Sequence, residues 1–272
     1  IRLFLYLLVM SFLQIDALKK VINCAIYKVF KTMFKVFFVA VQFLSRLPTP
    51  QYASISAEEM GRSIGWFPVV GVLIGMLLVG AAQLQLWLPA EIVAGLILVV
   101  SIWSTGALHL DGLADTADGW LGAMGNHQRA LEIMKDSRIG TGGGVALVGL
   151  LLLKWSLLVV VIEYQAWWFL LVTPVVGRIA SIGLMPVTKY VSLNGIAEQM
   201  FLHLNKRLIW LWVFALTVGL LWVSPGLFVG VLLTWFWMRW VMIRITGGMT
   251  GDTAGAMTEV MEMVFLLGVV TL

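Results

Sequence analysis

The stretch HLDGLADTADGWLG, residues 109–122, is the part of the chain that decides the fold and the chemistry. Asp111, Asp115 and Asp118 stand at i, i+4 and i+7, so an α-helix would carry all three carboxylates on one face. Like charges at this spacing repel one another and resist leaving water. A bound hard cation relieves that repulsion, and oxygen ligands favour Mg²⁺ or Mn²⁺. A solvated acidic cap is the alternative, and the shared face favours a metal site.

An apolar run of about 19 residues, 90–108, comes directly before this stretch and is long enough to cross a bilayer. Over the whole chain, 61% of residues are hydrophobic and 12% are charged, whereas a soluble domain carries about 25% charged residues. The mean hydropathy is +0.98. The apolar runs are too long for barrel strands. This composition therefore predicts an all-α, polytopic helical bundle embedded in the lipid bilayer.

The apolar runs predict about seven transmembrane helices, preceded by an interfacial or re-entrant N-terminal helix that ends before Pro48. Most of the longer loops carry Lys and Arg residues, which mark the cytoplasmic side of a membrane, whereas the very short loops carry none. We therefore predict a multi-pass protein of the cytoplasmic (inner) membrane whose active site faces the cytoplasm. The predicted spans are 64–88, 90–110, 143–162, 166–186, 208–223, 226–245 and 256–272.

Residues 1–32 differ from the rest of the chain, because they contain no Gly and no Trp. Two interpretations stay open: an added leader that activity does not need, or an amphipathic helix at the membrane interface. We predict a single membrane-embedded catalytic domain over 33–272. The lone Cys24 excludes an intrachain disulfide. The net charge of +4 suits cytoplasmic loops, so no nucleic-acid partner is expected.

A second group of candidate residues lies in LEIMKDSRIGTGGG, residues 131–144. Its charged residues alone would suggest ion pairing on a helix surface. They are followed, however, by a glycine-rich turn at the start of an apolar run, and such a turn presents backbone N–H groups to an anion. A phosphate-binding turn and a flexible hinge both stay open. The candidate phosphate ligands are Lys135, Arg138, Gly140, Gly142 and Gly143.

A third group lies in GGMTGDTAGAMTEVMEM, residues 247–263, where Asp252 and Glu259 share a helical face. Glu259 and Glu262 fall within the last apolar run, where an ionised side chain needs a partner or a polar cavity. Lys154 and Arg178 also lie within predicted spans. We predict that some of these cations pair with the acids and hold the bundle together.

These segments resemble the cobalamin synthase family, the adenosylcobinamide-GDP ribazoletransferases. The resemblance runs in order from Met33 to the C-terminus and rests on TGALHLDGLADTADGWLG, LEIMKDSRIGTGGGVAL, TGDTAGAMTEVMEMVFLL, FLSRLPTP and GRSIGWFPVVG. It implies an integral membrane enzyme that transfers the cobinamide-phosphate moiety of adenosylcobinamide-GDP to α-ribazole or its 5′-phosphate. GMP is released, adenosylcobalamin or its 5′-phosphate is formed, and Mg²⁺ is the implied cofactor. A homo-oligomer and contacts with other cobalamin-pathway enzymes are compatible with the resemblance.

That chemistry is phosphoryl transfer, in which catalysis consists mainly of positioning and charge neutralisation. Under this interpretation the aspartates of 109–122 hold Mg²⁺ against the diphosphate, and Asp136 completes the metal shell. Asp118 is the favoured acceptor of the attacking hydroxyl's proton. Asp252 has a supporting or metal-binding role. The remaining candidates bind phosphate: Arg62, Lys135, Arg138, Gly140, Gly142 and Gly143.

Two other functions fit parts of the pattern. A CDP-alcohol phosphotransferase is also an Asp-rich membrane enzyme, but its DGxxAR signature would need Ala and Arg where this chain has Asp115 and Thr116. A cation or corrinoid transporter would use the acids as an ion pathway. The loops, however, place the charged chemistry on one side of the membrane, which is typical of an enzyme.

Overall fold

The structure, a computed structural model, describes residue 27, residues 30–192 and residues 200–272. Within this part of the chain the secondary structure is helical, with one isolated parallel bridge between Tyr190 and Met249. The predicted all-α class is therefore confirmed. Both interpretations of 1–32 fall almost wholly outside the described residues. The helices are α1 (30–44), α2 (Ala57–Ser63), α3 (Phe67–Ala82), α4 (Ala90–Thr105), α5 (Leu108–Ala123), α6 (His127–Ile133), α7 (Thr141–Glu163), α8 (Phe169–Leu184), α9 (Lys206–Val223), α10 (Pro225–Thr246) and α11 (Gly251–Val269).

Four helical stretches in the described part of the chain are long and apolar enough to cross a membrane, and the bent pair α4–α5 adds a fifth if it forms one span. The four are Ala57–Leu86, α7, α9 and α10. The predicted count of about seven is not confirmed. At 16 residues, α8 is about 24 Å long, short of the roughly 30 Å hydrocarbon core. Helix α11, which was predicted as the last span, contains three acidic residues and is not among these apolar helices.

Helix α3 packs backbone to backbone against α8 through two glycines one turn apart. A Cβ on Gly71 would lie 2.9 Å from the carbonyl oxygen of Pro174, and a Cβ on Gly75 would overlap the backbone of Leu171. Small residues at i and i+4 let two membrane helices approach this closely. The contact fixes α8, and with it Arg178, against the rest of the bundle.

Substituting Gly75→Ala is expected to lower the free energy of unfolding by about 1–3 kcal/mol, because the backbone of Leu171 must move aside. Gly80 lies on the same helix and has no atom within 4 Å of its Cβ position, so Gly80→Ala is the matched control. Thermal unfolding of both variants in one detergent measures the difference. Equal Tm values would contradict the close approach of α3 and α8.

The chain turns by 89° between α4 and α5. Gly106 and Ala107 both adopt left-handed backbone conformations, with φ of 62° and 60°, and two such residues in succession end one helix and redirect the chain. A Cβ at Gly106 would also overlap the side chain of Arg46, which packs against this turn. The acidic stretch therefore forms a helix of its own rather than the end of the span 90–110.

A buried ion-pair network joins α7, α8 and α11. Lys154 Nζ lies 2.6 Å from Glu259 Oε2 and 2.9 Å from Glu262 Oε2, and Arg178 Nη1 lies 2.8 Å from Glu262 Oε1. All four side chains are less than a tenth exposed. The prediction that cations within the spans pair with the acids of the last helix is confirmed. The network holds α11 in place beside α5.

Candidate active site

Helix α5 presents the three aspartates as the spacing predicts. Asp111 is exposed, whereas Asp115 and Asp118 are half-buried. The first turn of α11 lies directly beside this face, because a Cβ on Gly112 would be only 2.6 Å from the carbonyl oxygen of Asp252. The carboxylates of Asp111, Asp118 and Asp252 lie close enough to Asp115 to repel its negative charge. The fold thus brings Asp252 beside the three aspartates of α5, although it lies more than a hundred residues from them in the sequence.

Asp118 serves a structural purpose that the sequence did not show. Its Oδ2 accepts a hydrogen bond from the N–H of Gly140 at 2.7 Å, and its Oδ1 accepts one from the N–H of Gly143 at 2.8 Å. These donors belong to the N-terminus of α7, where backbone N–H groups lack partners within the helix. The glycine-rich turn therefore binds an anion here, and that anion is a carboxylate of the same chain. Its predicted role toward phosphate stays a prediction.

Asp118→Ala is expected to lower the free energy of unfolding by about 1–3 kcal/mol, because it leaves the N–H groups of Gly140 and Gly143 without their charged partner. Asp115 accepts no hydrogen bond from the described residues, so Asp115→Ala should leave stability unchanged or raise it by removing a like charge. Chemical or thermal unfolding of the two purified variants tests this. Equal losses in both would contradict the anchoring role of Asp118.

The loop after α6 contains an ion pair between Arg138 and Asp136. Arg138 donates to both oxygens of Asp136, with Nη2 at 2.6 Å from Oδ2 and Nε at 3.0 Å from Oδ1. This bidentate contact lowers the pKa of Asp136 to about 2. Lys135 is exposed. Arg62 pairs with Glu58 at 2.6 Å on the exposed face of α2, and is not among the residues that line the two cavities described next.

Two cavities are lined by different turns of α5. The large cleft, about 1000 Å³, opens beside its middle and end and reaches α10. Asp118, Asp136 and Arg138 form its polar edge, while Trp120 and Trp237, with ring centroids 6.3 Å apart, lie on its apolar side. The small cavity, about 150 Å³, lies beside the first turn of α5, between α8 and the start of α11. Its polar lining includes Asp111, Asp252, His109, Arg178 and Ser181.

The carboxylates suit a metal ion that a substrate helps to hold. Among the residues that the structure describes, no three His, Cys, Asp or Glu side chains converge closely enough to hold an ion alone. Mg²⁺ in phosphate chemistry usually takes one or two carboxylates, with water and substrate phosphates completing its shell. Asp111, Asp115 and Asp252 offer hard oxygen donors, and none of them has an ion pair with a described Lys or Arg. The donor set therefore fits a shared cation better than a closed cage.

On a regular helix His109 points away from Asp111, so spacing alone does not connect it with the acidic face. In the structure it lies under the α11 backbone, where a Cβ on Gly255 would be 3.2 Å from the His109 Cα. His109 and Arg178 both line the small cavity. Helical periodicity could have shown that His109 is buried, but nothing in the sequence indicates that α8 brings Arg178 and Ser181 beside it.

The fold and the site define a class: a helical membrane protein with an acidic helix face between two ligand-sized cavities. Within that class the chain belongs to the cobalamin-5-phosphate synthase family, whose sequence profile matches residues 36–270. The resemblance seen in the motifs is thus confirmed. No solved structure matches the chain.

Relatives named adenosylcobinamide-GDP ribazoletransferase match over nearly their full lengths. The protein from Pseudomonas entomophila is 43% identical over 236 residues, covering 85% of this chain and 97% of its own. Its counterpart in Pseudomonas putida is 40% identical over 232 residues, with coverage of 85% and 97%. The one from Acinetobacter baumannii is 40% identical over 233 residues, with coverage of 85% and 94%.

Proposed function

We propose that this protein is an adenosylcobinamide-GDP ribazoletransferase that uses Mg²⁺. The observation that carries the proposal is the family match over residues 36–270, together with relatives of that name at 40–43% identity over 85% of the chain. The acidic face of α5 beside the large cleft supports a reaction at a diphosphate, because carboxylates that hold a divalent cation are the usual means of neutralising phosphate charge.

The proposed step is the transfer of a phosphoryl group. A ribose hydroxyl of α-ribazole, or of its 5′-phosphate, attacks the phosphorus that is bonded to the cobinamide. A new P–O bond forms to the ribose, the P–O bond to GMP breaks, and GMP leaves with the bonding electron pair. The hydroxyl proton passes to a carboxylate or to water. The products are adenosylcobalamin, or its 5′-phosphate, and GMP.

In this proposal the metal ion is held by carboxylates from the group Asp111, Asp115 and Asp252 together with the substrate phosphates, since no three described side chains converge to hold it alone. When bound, Mg²⁺ would neutralise charge on the diphosphate and on the departing GMP. Asp118 fixes the start of α7, because both of its oxygens accept backbone hydrogen bonds there. Arg138 stands at the edge of the large cleft, where its guanidinium can exchange Asp136 for a phosphate.

The bulky corrinoid part of the donor fits the large cleft. Its volume of about 1000 Å³ lies at the upper end of the range for ligand sites. Trp120, Trp237 and the aliphatic side chains around them provide the apolar surface that a macrocycle needs. The polar edge formed by Asp118, Asp136 and Arg138 would then lie toward the diphosphate.

The multi-pass arrangement is supported by the four or five apolar helices. We place the protein in the cytoplasmic membrane with the acidic face toward the cytoplasm, because most of the longer loops carry Lys and Arg residues and the very short loops carry none. Family membership favours the transferase over both a CDP-alcohol phosphotransferase and a transporter.

The test is a transfer assay with the detergent-purified protein, adenosylcobinamide-GDP, α-ribazole and Mg²⁺. We expect one GMP to be released for each corrinoid product formed, with activity lost in EDTA and restored by Mg²⁺. Detergent solution has no sealed compartment, so turnover there excludes a purely transport role. Release of CMP from a CDP-alcohol, with none of GMP, would support the phosphotransferase alternative instead.

A further inference from the structure

The small cavity is enclosed by aromatic and thioether side chains as well as by its polar residues. Phe43 and Phe67 line it from α1 and α3, and Tyr190, Met200, Phe201 and Met249 line it from the other side. Its volume of about 150 Å³ matches a cavity known to hold one benzene-sized molecule. Such a space accepts one ring of a flat aromatic group, with the rest of the group at the mouth of the cavity, and it excludes a macrocycle.

Two buried polar atoms in its lining have no hydrogen-bond partner among the residues that the structure describes. They are Nδ1 of His109 and Nε of Arg178, and the two side chains are only 5% and 1% exposed. A buried polar atom without a partner costs about 1–3 kcal/mol. The Nε–H of Arg178 can only donate, whereas the Nδ1 of His109 donates or accepts according to its tautomer. Both side chains line the cavity, and a bound ligand that offers an acceptor would supply the partner that either atom lacks once the side chain turns toward it.

We propose that the small cavity binds the aromatic base of the nucleoside acceptor, α-ribazole. This inference rests on the proposed function, since it assigns one of that reaction's substrates to a place. The benzimidazole base of a ribazole is flat, largely apolar and has a single free ring nitrogen. That nitrogen can accept from Arg178 or His109 while the rings contact Phe43, Phe67 and Tyr190.

The guanine base of the donor is the main competitor for this cavity, and it fits less well. Guanine carries donors and acceptors around most of its edge, and the part of the lining formed by Phe and Met side chains offers them no partners. The large cleft offers the polar edge and the volume that the donor needs. The aromatic lining of the small cavity therefore favours the acceptor, and the volume and polar edge of the large cleft favour the donor.

The position of the cavity also suits the reaction. Asp111 and Asp252 belong to its lining, so the ribose of a nucleoside bound there would lie next to the acidic group. The later turns of α5, with Asp118, belong to the large cleft. An acceptor and a donor held in these two spaces would meet across one face of α5, which is the arrangement that a transfer between two substrates requires.

The experiment narrows the cavity without touching the aspartates. Ser181 is a small buried residue of its lining, and Ser181→Leu adds bulk to the space. We expect the Kd for α-ribazole, measured by equilibrium dialysis in detergent without donor, to rise at least about tenfold, while the Kd for GMP stays within about twofold. Ser156→Leu, on the exposed face of α7, is the matched control and should leave both values unchanged.

A second pair of variants covers the case in which Ser181→Leu does not fold. His109→Leu removes the polar atom and is expected to weaken α-ribazole binding about tenfold, whereas His109→Gln, which keeps a donor and an acceptor, retains most of it. Loss of GMP binding in place of α-ribazole binding would overturn the proposal in favour of guanine. Wild-type affinity for both ligands in folded Ser181→Leu would overturn it outright.

The two proposals fail in distinguishable ways. If the wild-type protein transfers and folded Ser181→Leu binds α-ribazole normally, only the placement of the base is wrong. If α-ribazole binding depends on Ser181 but the wild-type protein never releases GMP, the assigned reaction is wrong and the nucleoside site stands.

Discussion

Asp111→Asn and Asp115→Asn should each reduce turnover at least about a hundredfold, while the protein still inserts in the membrane and purifies. Asn keeps the size of the side chain but removes the charge, so it cannot neutralise a divalent cation bound to a diphosphate. Loss of one electrostatic contact to the transition state typically costs a factor of about 10²–10³. The rate of GMP release at saturating substrates and Mg²⁺ measures the effect.

The matched control is Glu163→Gln, an amide substitution at the exposed C-terminal end of α7, remote in sequence from the acidic face. It should keep wild-type turnover. A metal role also predicts that raised Mg²⁺ concentration recovers part of the lost rate in Asp115→Asn, which a purely structural role would not. Turnover near the wild-type rate in both aspartate variants would refute the proposed metal site.

The sequence predicted the acidic face because helical geometry alone places residues four and seven apart on one side. The close packing at Gly71 and Gly75 likewise agrees with their spacing, since small side chains one turn apart permit such an approach. The pairing of Lys154 with the acids of the last helix followed from the cost of a lone charge in lipid. Each of these rests on local spacing or on one residue's own energetics.

What the sequence did not predict depends on contacts between distant segments. The bend at Gly106 and Ala107 requires a left-handed alanine, a conformation that alanine seldom adopts. The hydrogen bonds from the α7 N-terminus to Asp118 appear only once the chain folds back by more than twenty residues. The small cavity joins α1, α3, α5, α8 and α11, and no periodicity within one helix reveals such a space.

The second large effect is expected from Lys154→Met, which removes the shared cation of Glu259 and Glu262. Breaking a buried ion pair by deleting one partner costs about 3–5 kcal/mol, because the remaining charge is left without compensation. Arg178 still pairs with Glu262, so Glu259 bears most of the loss. We expect a large fall in Tm in detergent, together with a loss of α-ribazole binding if α11 shifts.

A double variant identifies the cause. Lys154→Met with Glu259→Gln removes the uncompensated charge, so it should regain a substantial part of the lost stability, whereas a general packing defect at position 154 would not be repaired. Lys206→Met, at the exposed start of α9, controls for the loss of a lysine. If the double variant is no more stable than Lys154→Met alone, the network does not hold α11 by charge compensation. The position of Asp252 beside α5 would then depend on packing between the two helices, including the close contacts of Gly112 and Gly255, rather than on the ion pairs.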